Sequence, residues 1–240
     1  DADVQLSVKR MAVKELALTK VQLQAHLKDG TLTAAPVALS VDEGRVMARL
    51  KVDQSGATPT IDVHASWRDL DAGKIAAMIG QGRIVTMKLD GEADVKSTGN
   101  TTQMLAATAT GYINLIGRDG QINDTALTDL TKGIGSIFPW VSNKDANQIS
   151  CFVAKWPLDK GNAVAQTVML DTSGVLVKVT GNVDLPGELL HLTVNTKAKK
   201  ISLASFAVPL RIKGSLLAPR IDVNPGEAVV STVGDVALAP

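Results

Sequence analysis

The stretch VQLQAHLKDG, Val21 to Gly30, decides how this chain is read. Val21, Leu23, Ala25 and Leu27 alternate with Gln22, Gln24, His26 and Lys28, the period of a strand with one apolar and one polar face. Asp29-Gly30 then ends the row. A type I′ turn needs positive φ at both central residues, and Asp-Gly between alternating rows is a strong hairpin signal. The same alternation runs outward in both directions. Val4, Leu6 and Val8 precede it; Val37, Leu39 and Val41 follow, and Asp42-Glu43-Gly44 turns the chain. Val46, Ala48, Leu50 and Val52 alternate with Arg45, Met47, Arg49 and Lys51, and Ile61, Val63, Ala65 and Trp67 with Asp62, His64, Ser66 and Arg68. Residues up to Trp67 therefore read as a meander of amphipathic strands.

Beyond this point the period changes. Ile75, Met78 and Ile79 fall at helical spacing within 71–80, with Gly80 as a stop. A strand follows around Val85-Met87-Leu89, interrupted at Gly91 and resumed at Ala93-Val95. Thr101 to Ala107 reads as a second short helix capped by Asn100 or Thr101, and Gly111–Ile116 as a strand leading to Asp119-Gly120. This strand and short-helix pairing, occurring twice, hints at a weak internal repeat. Asn123 to Phe138 is the best helix candidate: Asp124 can cap it, Leu127, Leu130 and Ile134 form a stripe, and Pro139 ends it. Strands resume at Ile149, with rows at Val175/Val177/Val179, Val183/Leu185, Leu190/Leu192/Val194 and Val208/Leu210/Ile212. The predicted architecture is mainly β with a few short helices, a curved antiparallel sheet or β-groove with helices capping or covering it. Residues 1–225 form a single β domain with an internal boundary near 140–148, and 226–240 form a flexible tail.

Composition excludes several classes. Hydrophobic residues make up 45% of the 240 residues, enough for a core, but aromatics only 3%, so the apolar content is Val, Leu, Ile and Ala. Net charge is +1, from 25 basic and 24 acidic residues, and stacking aromatics are scarce, which argues against nucleic acid as a partner. The basic run Lys197-Ala198-Lys199-Lys200 reads as a solvated loop. Scarce aromatics also argue against an outer-membrane barrel, which carries aromatic girdles. No stretch approaches the apolar length of a membrane helix.

Chemistry-bearing motifs are absent too. His26, His64 and His191 each sit at polar-face positions with no second ligand two or four residues away, so no metal is expected. There is no nucleophile elbow, phosphate-binding loop or dinucleotide fingerprint, hence no catalytic residues and no cofactor. Asp69 and Asp71 flank a helix start, where capping is more economical than acid–base chemistry. Cys151 is the one cysteine, so no intramolecular disulfide forms, and it reads as a buried, inert thiol.

From Asn147 onward the sequence resembles the C-terminal region of the AsmA-like family, which is related to TamB-type β-groove proteins. The resemblance rests on an ordered set: Gln148-Ile149-Ser150-Cys151-Phe152-Val153-Ala154, the turn Asp159-Lys160-Gly161, and Met169-Leu170-Asp171-Thr172. Val177 to Leu185, with Gly181-Asn182-Val183-Asp184-Leu185 as the family's glycine-centred strand, follows, then Val208 to Leu216 running into Ala218-Pro219-Arg220-Ile221. Upstream, Asp29-Gly30-Thr31-Leu32, Leu50-Lys51-Val52-Asp53 and Gly117 to Ile122 fit the same domain. The resemblance implies a periplasmic location, as part of a protein anchored in the inner membrane by a segment absent from this sequence, which begins Asp1-Ala2-Asp3. It also implies a role in outer-membrane lipid transport, assembly and envelope homeostasis.

The amphipathic strands make a lipid groove physically reasonable, with acyl chains of phospholipid or another envelope lipid as partners, and other envelope proteins besides. Its lining would be Val37, Leu39, Val41, Val46, Ala48, Leu50, Val52, Ile61, Val63, Ala65 and Trp67. The competing reading is a non-catalytic structural or interaction scaffold, in which the same face is closed core beneath the helices near 71–80 and 124–138.

Overall fold

Asp29 and Gly30 adopt φ values of 48° and 76°, the doubly positive turn that an Asp-Gly pair tolerates, and they join β2 (Leu16–Lys28) to β3 (Thr31–Val41). The computed structural model describes residues 1–13, 16–78, 85–123, 147–199 and 209–223. The expected helix over 124–138, the boundary near 140–146, the residues from Ile79 to Gly80 and the tail 226–240 lie outside these.

The N-terminal strands are β1 (Ala2–Val13), β2, β3, β4 (Gly44–Asp53) and β5 (Thr60–Asp71). A seven-residue helix α1 (Ala72–Met78) leads to β6 (Val85–Thr98), and α2 (Thr102–Thr108) leads to β7 (Thr110–Ile122). Then follow β8 (Gln148–Asp159), β9 (Asn162–Val164), β10 (Thr167–Thr172) and β11 (Val175–Asp184). The last are β12 (Leu189–Ala198), β13 (Leu210–Ser215) and β14 (Pro219–Val223). All fourteen belong to one antiparallel sheet in which sequence neighbours are spatial neighbours. The short β9 alone stands off this path, pairing β8 and β11. Among the described residues β1 pairs only β2 and β14 only β13, so the sheet has two edges.

Both helices begin where side chains can satisfy their first amides. Asp71 Oδ1 accepts from the Lys74 amide at 3.0 Å, and Thr101 Oγ1 accepts from the Met104 amide at 3.1 Å. Asp71 is thus a capping residue, while Asp69 pairs with Arg118 at 2.7 Å.

Period two alone does not describe the strands, because bulges shift the parity. Ladder offsets fall at Lys20 in β2, at Pro36 in β3 and at Asp69 in β5, and Lys20 and Asp69 take positive φ. Each offset places two apolar residues three apart on one face: Leu18 and Val21, Ala34 and Val37, Trp67 and Leu70. Pro36 has no N–H to donate, so a bulge is where a strand can hold it.

Three expectations need correction. Gly91 does not interrupt a strand; β6 runs unbroken from Val85 to Thr98. β7 likewise continues past Ile116 to Ile122, passing Asp119 at φ 53°. Cys151 is exposed and not buried. An offset in β8 sets Ile149 and Phe152 on one face, leaving Ser150 and Cys151 on the other.

Candidate functional site

Directly opposed residues of an antiparallel pair point to the same face, so the ladder registers show what lines each face. One rung reads Leu6, Leu23, Val37, Ala48, Ala65, Ala93, Ile113 and Trp156 from β1 to β8. The next reads Val4, Ala25, Ala34, Leu50, Val63, Val95, Gly111 and Leu158, and continues through Ala163, Val183 and Leu190. A third runs from Leu39 through Val46, Trp67, Gly91, Leu115, Ala154, Val168, Val179 and Val194 to Leu210 and Val223. No polar side chain enters any of the three. At about 4.8 Å between neighbouring strands, this unbroken apolar face extends for roughly 60 Å along the sheet.

The eleven residues read from the sequence, Val37, Leu39, Val41, Val46, Ala48, Leu50, Val52, Ile61, Val63, Ala65 and Trp67, are all half-buried, and the registers bring them to this one face. Their polar neighbours Arg45, Arg49 and Lys51 in β4 are exposed on the other. The sequence list stopped short at both ends. It omitted Val4 and Leu6 in β1, although they alternate in the same way, and Ala93, Leu115 and Trp156, whose membership only the cross-strand register reveals.

The face is not covered evenly. Fully buried clusters occur in the middle: Ala72, Met87, Ile122 and Ile149, and then Ala154, Ala165 and Val168. Ala72 brings α1 into the first cluster. The second helix lies at the opposite strand ends, where Ser97 Oγ donates to the Leu105 carbonyl at 2.5 Å and Gly161 N–H donates to the Ala109 carbonyl at 2.8 Å. Both helices connect β6 to its neighbours, so each caps one end of the strands; α1 reaches the β3–β4 turn through Lys74, whose Nζ lies 2.6 Å from Asp42 Oδ2. In β1 the apolar side chains are open, Val4 being 54% and Leu6 47% exposed.

Among the described residues, charge lies on the outer face and at the strand ends. Arg118 bridges Asp69 and Asp90, and Asp90 also accepts from the Asp69 amide at 2.8 Å. The Arg118 guanidinium beside it, and that amide, hold the Asp90 carboxyl below its usual pKa. Glu43, 3.0 Å from Lys88, raises the Lys88 ammonium. His64 Nδ1 lies 3.2 Å from Asp94 Oδ2, directly across the β5–β6 ladder. No group of three or more metal-ligating side chains stands together among the described residues. The arrangement offers apolar contact on one side and ion pairing on the other.

A single antiparallel layer with one continuous apolar face, half-open over β1–β5, closed in the middle and capped by short helices, defines an amphipathic β-groove domain. The model of the AsmA family matches residues 1–168, more than half of the chain, and the chain belongs to that family. AsmA family protein YhjG of Escherichia coli (strain K12) is 23% identical over 243 residues, covering 100% of this chain and 35% of the relative. The chain therefore spans about a third of the length of the curated relative it matches. The family match takes in the Gln148–Ala154 strand and the Asp159-Lys160-Gly161 turn and stops before Met169; the alignment with YhjG extends over the later strands. No solved structure matches. Membership of this family suggests an envelope-associated function.

Proposed function

We propose that this domain is a periplasm-facing segment of a longer, inner-membrane-anchored protein, and that its apolar face holds the acyl chains of a phospholipid or another envelope lipid. In this reading it has no catalytic role; it guides lipid along the sheet in support of outer-membrane lipid supply and assembly. One observation carries it: the uninterrupted apolar rungs across the strands, left half-exposed over β1–β5. At ~0.8 kcal/mol per CH₂, a 16-carbon chain costs on the order of 12 kcal/mol in water, so even a shallow aliphatic trough retains it. Movement needs only near-parity between neighbouring positions, and rungs of Val, Leu and Ala present similar surfaces at each strand.

Leu50 and Lys51 test the reading, because they are adjacent in β4 and point to opposite faces. Lipids extracted from the purified protein are measured by mass spectrometry against a mock purification. Lys51→Asp is expected to retain the wild-type lipid load. Leu50→Asp is expected to stay folded, since its carboxylate keeps water in an open trough, and to lose most of the bound lipid. A folded Leu50→Asp protein with a normal load would refute the groove at this strand, and an unfolded one would favour the scaffold reading, in which the face is sealed.

A further inference from the structure

The hairpin formed by β13 and β14 ends in Ser215-Leu216-Leu217-Ala218, and its two leucines project into solvent: Leu217 is 90% exposed and Leu216 39%. The tip is ordered by its own hydrogen bonds. Ser215 Oγ accepts from the Leu217 amide at 3.2 Å, and the Ser215 carbonyl accepts from the Ala218 amide at 3.2 Å. Leu216 N–H donates to the Glu188 carbonyl of the adjoining turn at 2.9 Å, which ties the tip to the sheet. A structured turn thus holds two large apolar side chains away from the protein.

Immediately behind the tip lies an unusual pairing. Lys213 and Arg220 are directly opposed across the β13–β14 ladder, and His191 of β12 is the next residue in the same rung. Like charges opposed across a ladder repel one another. Both side chains are exposed, and neither has an ion-pair partner among the described residues. Two acids lie close by along the chain, Asp222 two residues after Arg220 in β14 and Glu188 in the neighbouring turn, and neither forms an ion pair with Lys213 or Arg220. A cation on an edge strand discourages sheet-to-sheet pairing, which accounts for Arg220 but not for Lys213 or for a solvent-facing Leu-Leu. Apolar side chains at a tip backed by unpaired cations match one chemistry, a hydrocarbon boundary under anionic headgroups.

We propose that the Ser215–Ala218 tip is a docking point for an anionic bilayer surface, with Leu216 and Leu217 entering the acyl boundary and Lys213 and Arg220 contacting headgroup phosphates. The inference deepens the lipid reading and rests on it for its purpose. The inner-face rung Leu192, Ile212 and Ile221 runs through this hairpin, so a bilayer at the tip adjoins the C-terminal end of the apolar face.

The test is flotation of the whole chain with vesicles of phosphatidylethanolamine and phosphatidylglycerol, compared with vesicles of phosphatidylcholine alone. Wild-type protein is expected to float with the anionic vesicles and to release as salt is raised. Leu217→Asp, at an exposed position, is expected to fold normally and bind on the order of tenfold more weakly, and Lys213→Gln with Arg220→Gln to weaken binding similarly. Met47→Ser, an exposed apolar residue elsewhere (59%), is the control and should bind as wild type. The measurement is separable from the groove: Leu217→Asp keeps its co-purified lipid, whereas Leu50→Asp loses lipid and still floats. Wild-type protein that ignores anionic vesicles at low salt overturns the proposal. So does a Leu217→Asp protein that floats like wild type, or one whose only change is loss of a dimer seen by light scattering.

Discussion

Strands β1–β5 and strands β6–β11 belong to one sheet and carry one apolar face, but they bury it to different degrees. In β1–β5 the rungs are mostly Val, Leu, Ile and Ala side by side, and among the described residues only Ala34, Gly44 and Leu70 are buried. From the β5–β6 pair onward large side chains lie across glycines. The Trp67 ring occupies the space where a Cβ at Gly91 would sit, Met87 does the same at Gly117, and Ile149 packs on Gly120. Glycine removes the pillar beside a large residue and lets it lie flat, so the layer thickens and closes locally with α1 above it. The difference teaches that alternation makes a face amphipathic, while side-chain size across the rung decides whether the face is sealed.

The sharpest way to break this contrast is to place the same charge in each region. Ile149→Asp, at a position 2% exposed, is expected to cost more than ~3 kcal/mol and to leave little folded chain by urea titration. Leu50→Asp should cost about 1–2 kcal/mol, and equal losses at the two sites would end the distinction. Filling a glycine comes next. Gly117→Val would drive a Cβ into the Met87 sulfur and should lower stability by roughly 1–3 kcal/mol. Thr101→Ala removes the α2 cap and should cost about 1 kcal/mol, with bound lipid unchanged.

Two smaller effects sharpen the outer face. Cys151 should react with a thiol reagent in the native state about as fast as in denaturant, because the β8 offset turns it outward. Asp90 titrates below its usual 3.8 when folded, so its pairing with Arg118 contributes stability at pH above that value. That contribution is lost as pH falls through the depressed pKa. Arg118→Met should flatten this acid limb of the stability curve and change little else; an unchanged limb would mean that the pair is not formed in solution.

Much of the architecture was legible in the residues because it follows from local rules. The alternating rows became strands, Asp29-Gly30 became a doubly positive turn, and Thr101 became a cap. The bulges were not legible, since Lys20, Pro36, Asp69 and Ser150 shift parity only in relation to a partner strand, which a single row does not contain. Cys151 was misread for that reason. Gly91 was taken for a break because a glycine in an isolated row looks like one; opposite Trp67 it is the vacancy that the indole fills. The apolar residues of the candidate site were readable in β3–β5, where Val and Leu dominate, and less so in β6–β7, where Gly91, Ala93 and Gly111 interrupt Val95, Ile113 and Leu115 on the same face.

Because nearly every strand pairs with the one before and after it in sequence, most strand pairings join consecutive segments, the β7–β8 pair across residues 123–147 being the longest closure. Such a chain has the energetics of a one-dimensional array, in which each hairpin depends on its two neighbours and little on the remainder. Folding can start at any tight hairpin, spread as a zipper, and proceed as the polypeptide emerges, without waiting for a distant partner. The same independence makes length an evolvable variable. Inserting or deleting one hairpin of matching alternation changes the span by two strand spacings and leaves the other registers intact.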